Sequence, residues 1–301
     1  MTDTVTRTTG PDPTTRTAAA GRLPAVPRIR RRRPVLVYLA AAWLLLLLGA
    51  AALADVLPLA PYATPVGPPR QPPQPGPLDL LLGTDTMGRS ILSRLVHGAR
   101  ISLLVGTVAG LLGFTVGATL GLLAGYFRGR LDTAITLLTD AMLAFPPLIL
   151  LLALASVLTP SAGTIGLGLT LLVIPSFTRL ARANTLAWSC REFVKAATNM
   201  GAGHGRILTR EILPNLIAPL AAYLPIVMAA LIVAEGSLSF LGLGIPPPQP
   251  SWGQMINDGK DALATDPHLV FVPATVIFVT VFALNLVGDH LRTTFDRTLH
   301  D

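Results

Sequence analysis

Six stretches of this chain, near residues 35–54, 101–126, 134–158, 163–179, 216–241 and 269–288, are apolar over lengths close to the thickness of a bilayer. Crossing roughly 30 Å of hydrocarbon at about 1.5 Å per residue takes about 20 residues. The runs are continuous rather than alternating, which excludes a β-barrel. Without water, their backbone groups must bond within their own helix. The sequence therefore predicts an all-α membrane protein with six transmembrane helices. The fourth run is the weakest, being short and interrupted by Pro175. Composition agrees: 51% of the residues are hydrophobic and 13% charged, against about a quarter charged in soluble domains.

Orientation follows from Lys and Arg, which favour cytoplasmic loops. Eighteen of the twenty-three fall on one side of the predicted topology: eight up to residue 34, Arg128 and Arg130, six from the 180s to 214 with their flank, and two at the C-terminus. The segments 55–100 and 242–268, with the 159–162 turn, share five. Both termini are thus expected inside (N-in/C-in). The net charge of +7 is mainly a topology signal. The basic tail suits anionic lipid and lacks the interleaved aromatics of a nucleic-acid surface, so lipid is an expected partner and nucleic acid is not. Ala52-Leu53-Ala54 has the look of a signal-peptidase site. The apolar and basic regions before it are longer than a signal peptide's, which favours an uncleaved anchor.

These readings divide the chain into a disordered basic cytoplasmic tail (1–34), a first transmembrane helix (35–54), an external segment (55–100), a transmembrane domain (101–288) with a cytoplasmic loop at 180–215, and a cytoplasmic C-terminal tail (289–301). Within the external segment, the proline-dense 58–77 reads as an extended linker. A short interfacial helix capped by Thr84 or Asp85 follows, with Met87, Ile91, Leu92, Leu95 and Val96 on one stripe. In the second span Gly106, Gly110, Gly113, Gly117, Gly121 and Gly125 recur in steps of four and three. They permit close approach of another backbone, either as static packing or as a sliding contact. Asp140, ahead of Phe145-Pro146-Pro147 where the helix should kink, and Glu235 are intramembrane acids and thus pathway, gating or proton-relay candidates, with Pro146 beside them. Structural roles near span ends are the alternative.

No phosphate-cradling loop, Cys/His metal spacing or nucleophile motif is present, so no catalytic residue, metal site or cofactor is expected in this chain. The single cysteine, Cys190, excludes an internal disulfide. Between spans four and five lies CREFVKAATNMGAGHGRILTREILPN. Phe193, Ala196, Ala197 and Met200 fall on one face of a short helix, with Arg191, Glu192, Lys195 and Asn199 on the other side. Gly201 is placed to stop it, and a second short helix, 206–213, ends at Pro214. Such a helix–turn–helix either lies on lipid or seats in a groove of a partner.

KAATNMG followed by EILP resembles the EAA loop of ABC importer permeases, EAA-x3-G-x9-I-x-LP, at Ala196, Ala197, Gly201, Leu213 and Pro214, with Lys195 in place of Glu and Glu211 in place of Ile. LLGTDTMGRSILSRLVHGARISL, DAMLAFPPLILLLAL, EGSLSFLGLGIPPPQPSWGQMI and GDHLRTTFD are similar to segments of the C-type permease of dipeptide/oligopeptide ABC transporters. The resemblance covers about 80–301. It implies the type I importer permease fold, a five-helix core plus an N-terminal helix, in the bacterial cytoplasmic membrane. It implies a heterodimer with a second homologous permease subunit, two cytoplasmic ATPases that bind ATP and Mg, and an external substrate-binding protein. Ala196 to Gly201 would form the coupling helix, with Glu192 or Lys195 as its charged contact. The 242–268 loop, with Trp252, Met255 and the Pro246–Pro248 run, would meet the binding protein or form the pathway mouth, a structural cap on the sixth span being the alternative.

Overall fold

The computed structural model describes residues 34–159 and 161–298, so the 1–34 tail apart from Pro34, and residues 299–301, lie outside the described residues. Among the described residues ten α-helices follow one another: α1 (Pro34–Ala52), α2 (Ile91–Phe127), α3 (Gly129–Ala144), α4 (Pro147–Val157), α5 (Ala162–Ser189), α6 (Glu192–Asn199), α7 (His204–Arg206), α8 (Leu213–Phe240), α9 (Trp252–Gly259) and α10 (His268–Thr298). Among the described residues five runs are long and apolar enough to cross a membrane, and α3 with α4, bent by 85°, makes six if the pair is counted as one broken span. Large apolar side chains along α1, such as Tyr38 and Leu45, face outward, as lipid contact requires.

The boundaries differ from the sequence expectation in four places. The external interfacial helix and the second span are one helix: α2 runs unbroken for 37 residues, about 55 Å at 1.5 Å per residue, and so projects well beyond the hydrocarbon. Its cap is Ser90, whose hydroxyl accepts from the Ser93 amide. Thr84 and Asp85 do not cap it. Thr84 Oγ1 bonds Pro68 O at 2.6 Å and Gln71 N at 2.9 Å, and Asp85 accepts from the amides of Met87 and Arg89. These bonds fold the proline-dense segment back over the 83–90 turn, so it is a built external cap rather than an extended linker. Gly83 and Gly88 both have positive φ there, and a Cβ on either would collide with the carbonyl of Gln71 or Gly67.

The weak fourth run is a full 28-residue helix, α5, with Pro175 inside it. A proline removes one backbone bond but is tolerated where neighbouring helices enclose the gap, and Pro175 is buried. The third span is broken as its prolines predict: α3 and α4 meet at 85° across Phe145-Pro146. The expected helix at 206–213 is not separate. From His204 the chain is helical to Phe240, through a π-helical turn at Ile207–Ile212. Pro214 follows directly on the π-helical turn, which accommodates its missing N–H, and Asn215 Nδ2 donates to Glu211 O at 2.7 Å.

The glycine stripe divides between two neighbours. A Cβ on Gly117 would lie 2.6 Å from Phe177 Cβ, and one on Gly125 would lie 2.8 Å from Thr185 Cβ, so the cytoplasmic half of α2 lies directly on α5. Gly106 and Gly110 face Ile232, Leu224 and Met228 of α8. Two apolar clusters result. One joins α2, α5, α6 and α8 through Phe177, Val194, Ile207, Ile212 and Leu216. The other joins the external half of α2 to α8, α9 and α10 through Leu95, Ile232, Trp252 and Leu284.

Candidate functional site

The cytoplasmic segment builds a small helix on a firm base. Glu192 lies in the first turn of α6, where a carboxylate favours the helix N-terminus. The helix ends at Gly201, with φ +81°. Gly201 N donates to Thr198 O and Ala202 N to Ala197 O, both at 3.0 Å. This pair of bonds closes a helix around a left-handed residue, a conformation glycine adopts without Cβ strain. A Cβ on Gly201 would meet nothing within 4 Å, so its conformation, not space, calls for glycine.

The orientation of α6 corrects one expectation. Val194 and Ala197 are buried, at 4% and 7% exposure, with Val194 in the same cluster as Ile207 and Ile212. Ala197 therefore supports α6 from beneath and cannot belong to its exposed face. Phe193, Ala196 and Met200 do face outward, with Glu192, Lys195 and Asn199 beside them. The outward surface is thus mixed, a small alanine with charged residues on one flank and apolar ones on the other. Of the remaining loop residues, Leu213 is half-buried and Pro214 exposed. Ile212, rather than Glu211, occupies the core.

Around α6, the cytoplasmic ends of the long helices are joined. Tyr126 Oη and His204 Nδ1 are 2.9 Å apart, tying the end of α2 to α7. Arg128 Nη2 donates to Ser189 Oγ at 3.2 Å, tying the α2–α3 turn to the end of α5. The same guanidinium donates to Cys190 Sγ at 3.6 Å, and this hydrogen bond holds the exposed thiol below its ordinary pKa, with one from Ser189 adding to the effect.

The two intramembrane acids have different surroundings. Asp140 is half-exposed and pairs with Arg179 at 2.7 Å. A second pair, Arg182 with Asp132, is bidentate, with Nη2 to Oδ2 at 2.6 Å. Together they pin α3 to α5 just before the break at Pro146. Glu235 is 1% exposed, and its oxygens accept from Ser102 Oγ at 3.1 Å and Ser239 Oγ at 2.7 Å. Sequence reading missed both arginines because they lie 39 and 50 residues from their partners.

On the external side, Trp252 and Met255 are buried, at 0% and 5% exposure, which corrects their assignment as surface contacts. Ser251 caps α9, and the helix turns its apolar residues inward, with Trp252 Nε1 donating to Leu95 O at 3.1 Å. The exposed stretches of this loop include Pro246 to Gln249 and, after α9, Lys260, Asp261 and Leu263 to Thr265. Asp85, Arg89, Arg94 and Asp258 form a compact ion cluster beneath the cap: Arg89 to Asp85 is 2.7 Å and Arg94 to Asp258 is 3.1 Å. Among the described residues no group of His, Cys, Asp and Glu could hold a metal ion.

Comparison with known proteins gives this arrangement a family. Residues 117–301 match the family described as binding-protein-dependent transport system inner membrane component. The chain is 39% identical over 218 residues to the glutathione transport system permease protein GsiD of Pectobacterium atrosepticum, covering 72% of each chain. It is 39% identical over 251 residues to the dipeptide transport system permease protein DppC of Haemophilus influenzae, covering 80% of this chain and 85% of that one. The fold is similar to a chain of the MetNI methionine ABC transporter in an inward-facing conformation, with a TM-score of 0.57 and 18% identity, over 67% of this chain and 96% of that one. The chain belongs to the family of binding-protein-dependent transport system inner membrane components, as a multi-pass permease subunit of an ABC importer.

Proposed function

We propose that this permease moves short peptides, that it is not itself a catalyst, and that it draws its energy from two cytoplasmic ATPases seated on α6. It pairs with a second homologous permease to enclose one pathway and receives substrate from an external binding protein. ATP and Mg belong to the ATPases, and no cofactor is held here. The observation that carries the reading is α6 itself: a rigid, glycine-stopped helix standing on Val194 and Ala197 with Ala196 outward. A small residue at the centre lets a groove approach closely, and a rigid base transmits a shift of the whole body. Glu192 and Lys195 are both exposed, so either can supply the charged contact. The broken helix at Pro146, stapled to α5 by Asp140 and Arg179, is the pathway and gating candidate. Within the 242–268 loop, the exposed prolines 246–248, and not the buried Trp252 and Met255, are the candidate surface for the binding protein.

The names of the relatives, one for dipeptides and one for glutathione, support a short-peptide substrate. With partner subunits and binding protein reconstituted, a labelled dipeptide is expected to accumulate in vesicles and to be displaced by excess unlabelled di- or tripeptide. Displacement by a nickel chelate or haem, with none by peptide, would assign another solute.

A further inference from the structure

Glu235 sits where three helices meet. One carboxyl oxygen takes the hydroxyl of Ser102 on α2. The other takes Ser239 on α8, whose hydroxyl in turn accepts from Ser251 at 3.3 Å. Ser251 is the cap of α9 and also accepts from Gln254 N at 3.3 Å. The Trp252 amide closes the ring by donating to Ser102 Oγ at 3.4 Å. Glu235, Ser102, Ser239, Ser251 and Trp252 are each at most 1% exposed. Beside them α9 rests backbone on backbone upon α8, since a Cβ on Gly253 would lie 2.6 Å from Gly236 Cα.

An acid that relays protons needs water or a second titratable group beside it, and Glu235 is only 1% exposed. The hydrogen-bond partners of Glu235 are serines, and the nearest acid on α9, Asp258, is paired with Arg94. The ring is instead suited to holding three helices in register, because a buried polar network with its members satisfied fixes one arrangement of its surroundings. The helices it holds matter. α2 and the His204–Phe240 run are both 37 residues long, and they are joined again at the cytoplasmic end by Tyr126 and His204, next to α6. The external helix and the cytoplasmic knob thus stand at opposite ends of one frame that is tied at both ends.

We propose that Glu235 is a positioning residue for transport: by hydrogen bonding alone it clamps the external helix α9 to α2 and α8, so that α9 and α6 move as parts of one frame. The proposal rests on the importer reading for the meaning of that motion but not for the clamp itself.

The test uses a Cys190→Ser background carrying Met255→Cys, whose side chain reports the seating of α9 to a membrane-impermeant maleimide added outside. With the native Glu235, and equally with Glu235→Gln, position 255 is expected to stay protected, and uptake and its pH profile to be unchanged, because an amide still accepts one hydrogen bond and donates another. With Glu235→Leu, labelling is expected to rise and uptake to fall roughly tenfold or more, the scale on which small misplacements act. Should that variant not reach the membrane, Ser102→Ala combined with Ser239→Ala is read in its place, with the same expectation. Loss of uptake or a shifted pH profile in Glu235→Gln would overturn the proposal in favour of a role for the charge or the proton. A protected, fully active Glu235→Leu would overturn the clamp. Labelling needs no substrate, so absence of peptide uptake in the parent chain would sink the peptide reading while leaving the clamp to be judged on labelling.

Discussion

Ala196→Trp is expected to leave the protein folded and inserted while abolishing ATPase docking and uptake. The residue points away from the fold, so an indole there meets only solvent in the isolated subunit and a steric clash in the complex. Disrupting the centre of a closely packed contact costs about 2 kcal/mol or more, roughly 30-fold in affinity. Co-purification of the ATPases on tagged permease measures it directly. Ala197→Trp, one residue on, is expected to fail differently. Its site is 7% exposed, so the indole would lift α6 from Ile207 and Ile212, and the subunit itself would lose stability. Equal docking by Ala196→Trp and the parent chain would remove α6 from the coupling role.

Gly121→Ala is expected to lower the apparent melting temperature in detergent by several degrees, and Gly121→Leu to prevent accumulation in the membrane. A Cβ at this position would stand 2.5 Å from Ala181 Cβ and 2.7 Å from the Arg182 amide, and α5 cannot yield without disturbing the Arg182 pair with Asp132. Overpacking of this kind costs about 1–3 kcal/mol, and each 1 kcal/mol lowers the melting temperature by about 2–4 °C in proteins of 150–250 residues. Gly166→Ala is the contrast within α5. Nothing lies within 4 Å of its Cβ, and alanine is favoured over glycine in a helix by about 0.5–1 kcal/mol, so stability is expected to hold or rise. If both alanines behaved alike, the α2–α5 contact would be looser than described. The same closeness favours the static reading of the stripe over a sliding contact, since α2 and α5 have no slack to slip through.

Much of this was legible in the chain because membrane helices and helix stops depend on local pattern. Runs of about 20 apolar residues, the Phe145-Pro146-Pro147 break and the Gly201 stop each act through their own neighbours. What the chain concealed depends on contacts distant in sequence. Whether α6 turns Ala196 or Ala197 inward is decided by Ile207 and Ile212, which a π-helical turn presents to it, and an eight-residue helix with apolar residues on both sides does not announce its buried face. Asp140 reads as a lone acid until Arg179 is brought across from α5. Trp252 reads as an aromatic on an outer loop, and only the cap at Ser251 and the carbonyl of Leu95 show it facing inward. Pro175 misled for a different reason. Its penalty is real in water-exposed helices, but Pro175 is buried where α5 packs against its neighbours.

The energy source of transport separates an ATP-driven importer from a proton-coupled carrier most directly. The permease, its homologous partner subunit, the ATPases and the binding protein are reconstituted together in vesicles, and uptake of labelled peptide is followed with and without ATP and with a proton uncoupler. Uptake that requires ATP, ignores the uncoupler and disappears with Ala196→Trp is the predicted result. Uptake that proceeds without ATP and collapses with the uncoupler would contradict it and make Asp140 or Glu235 part of a proton-coupled carrier.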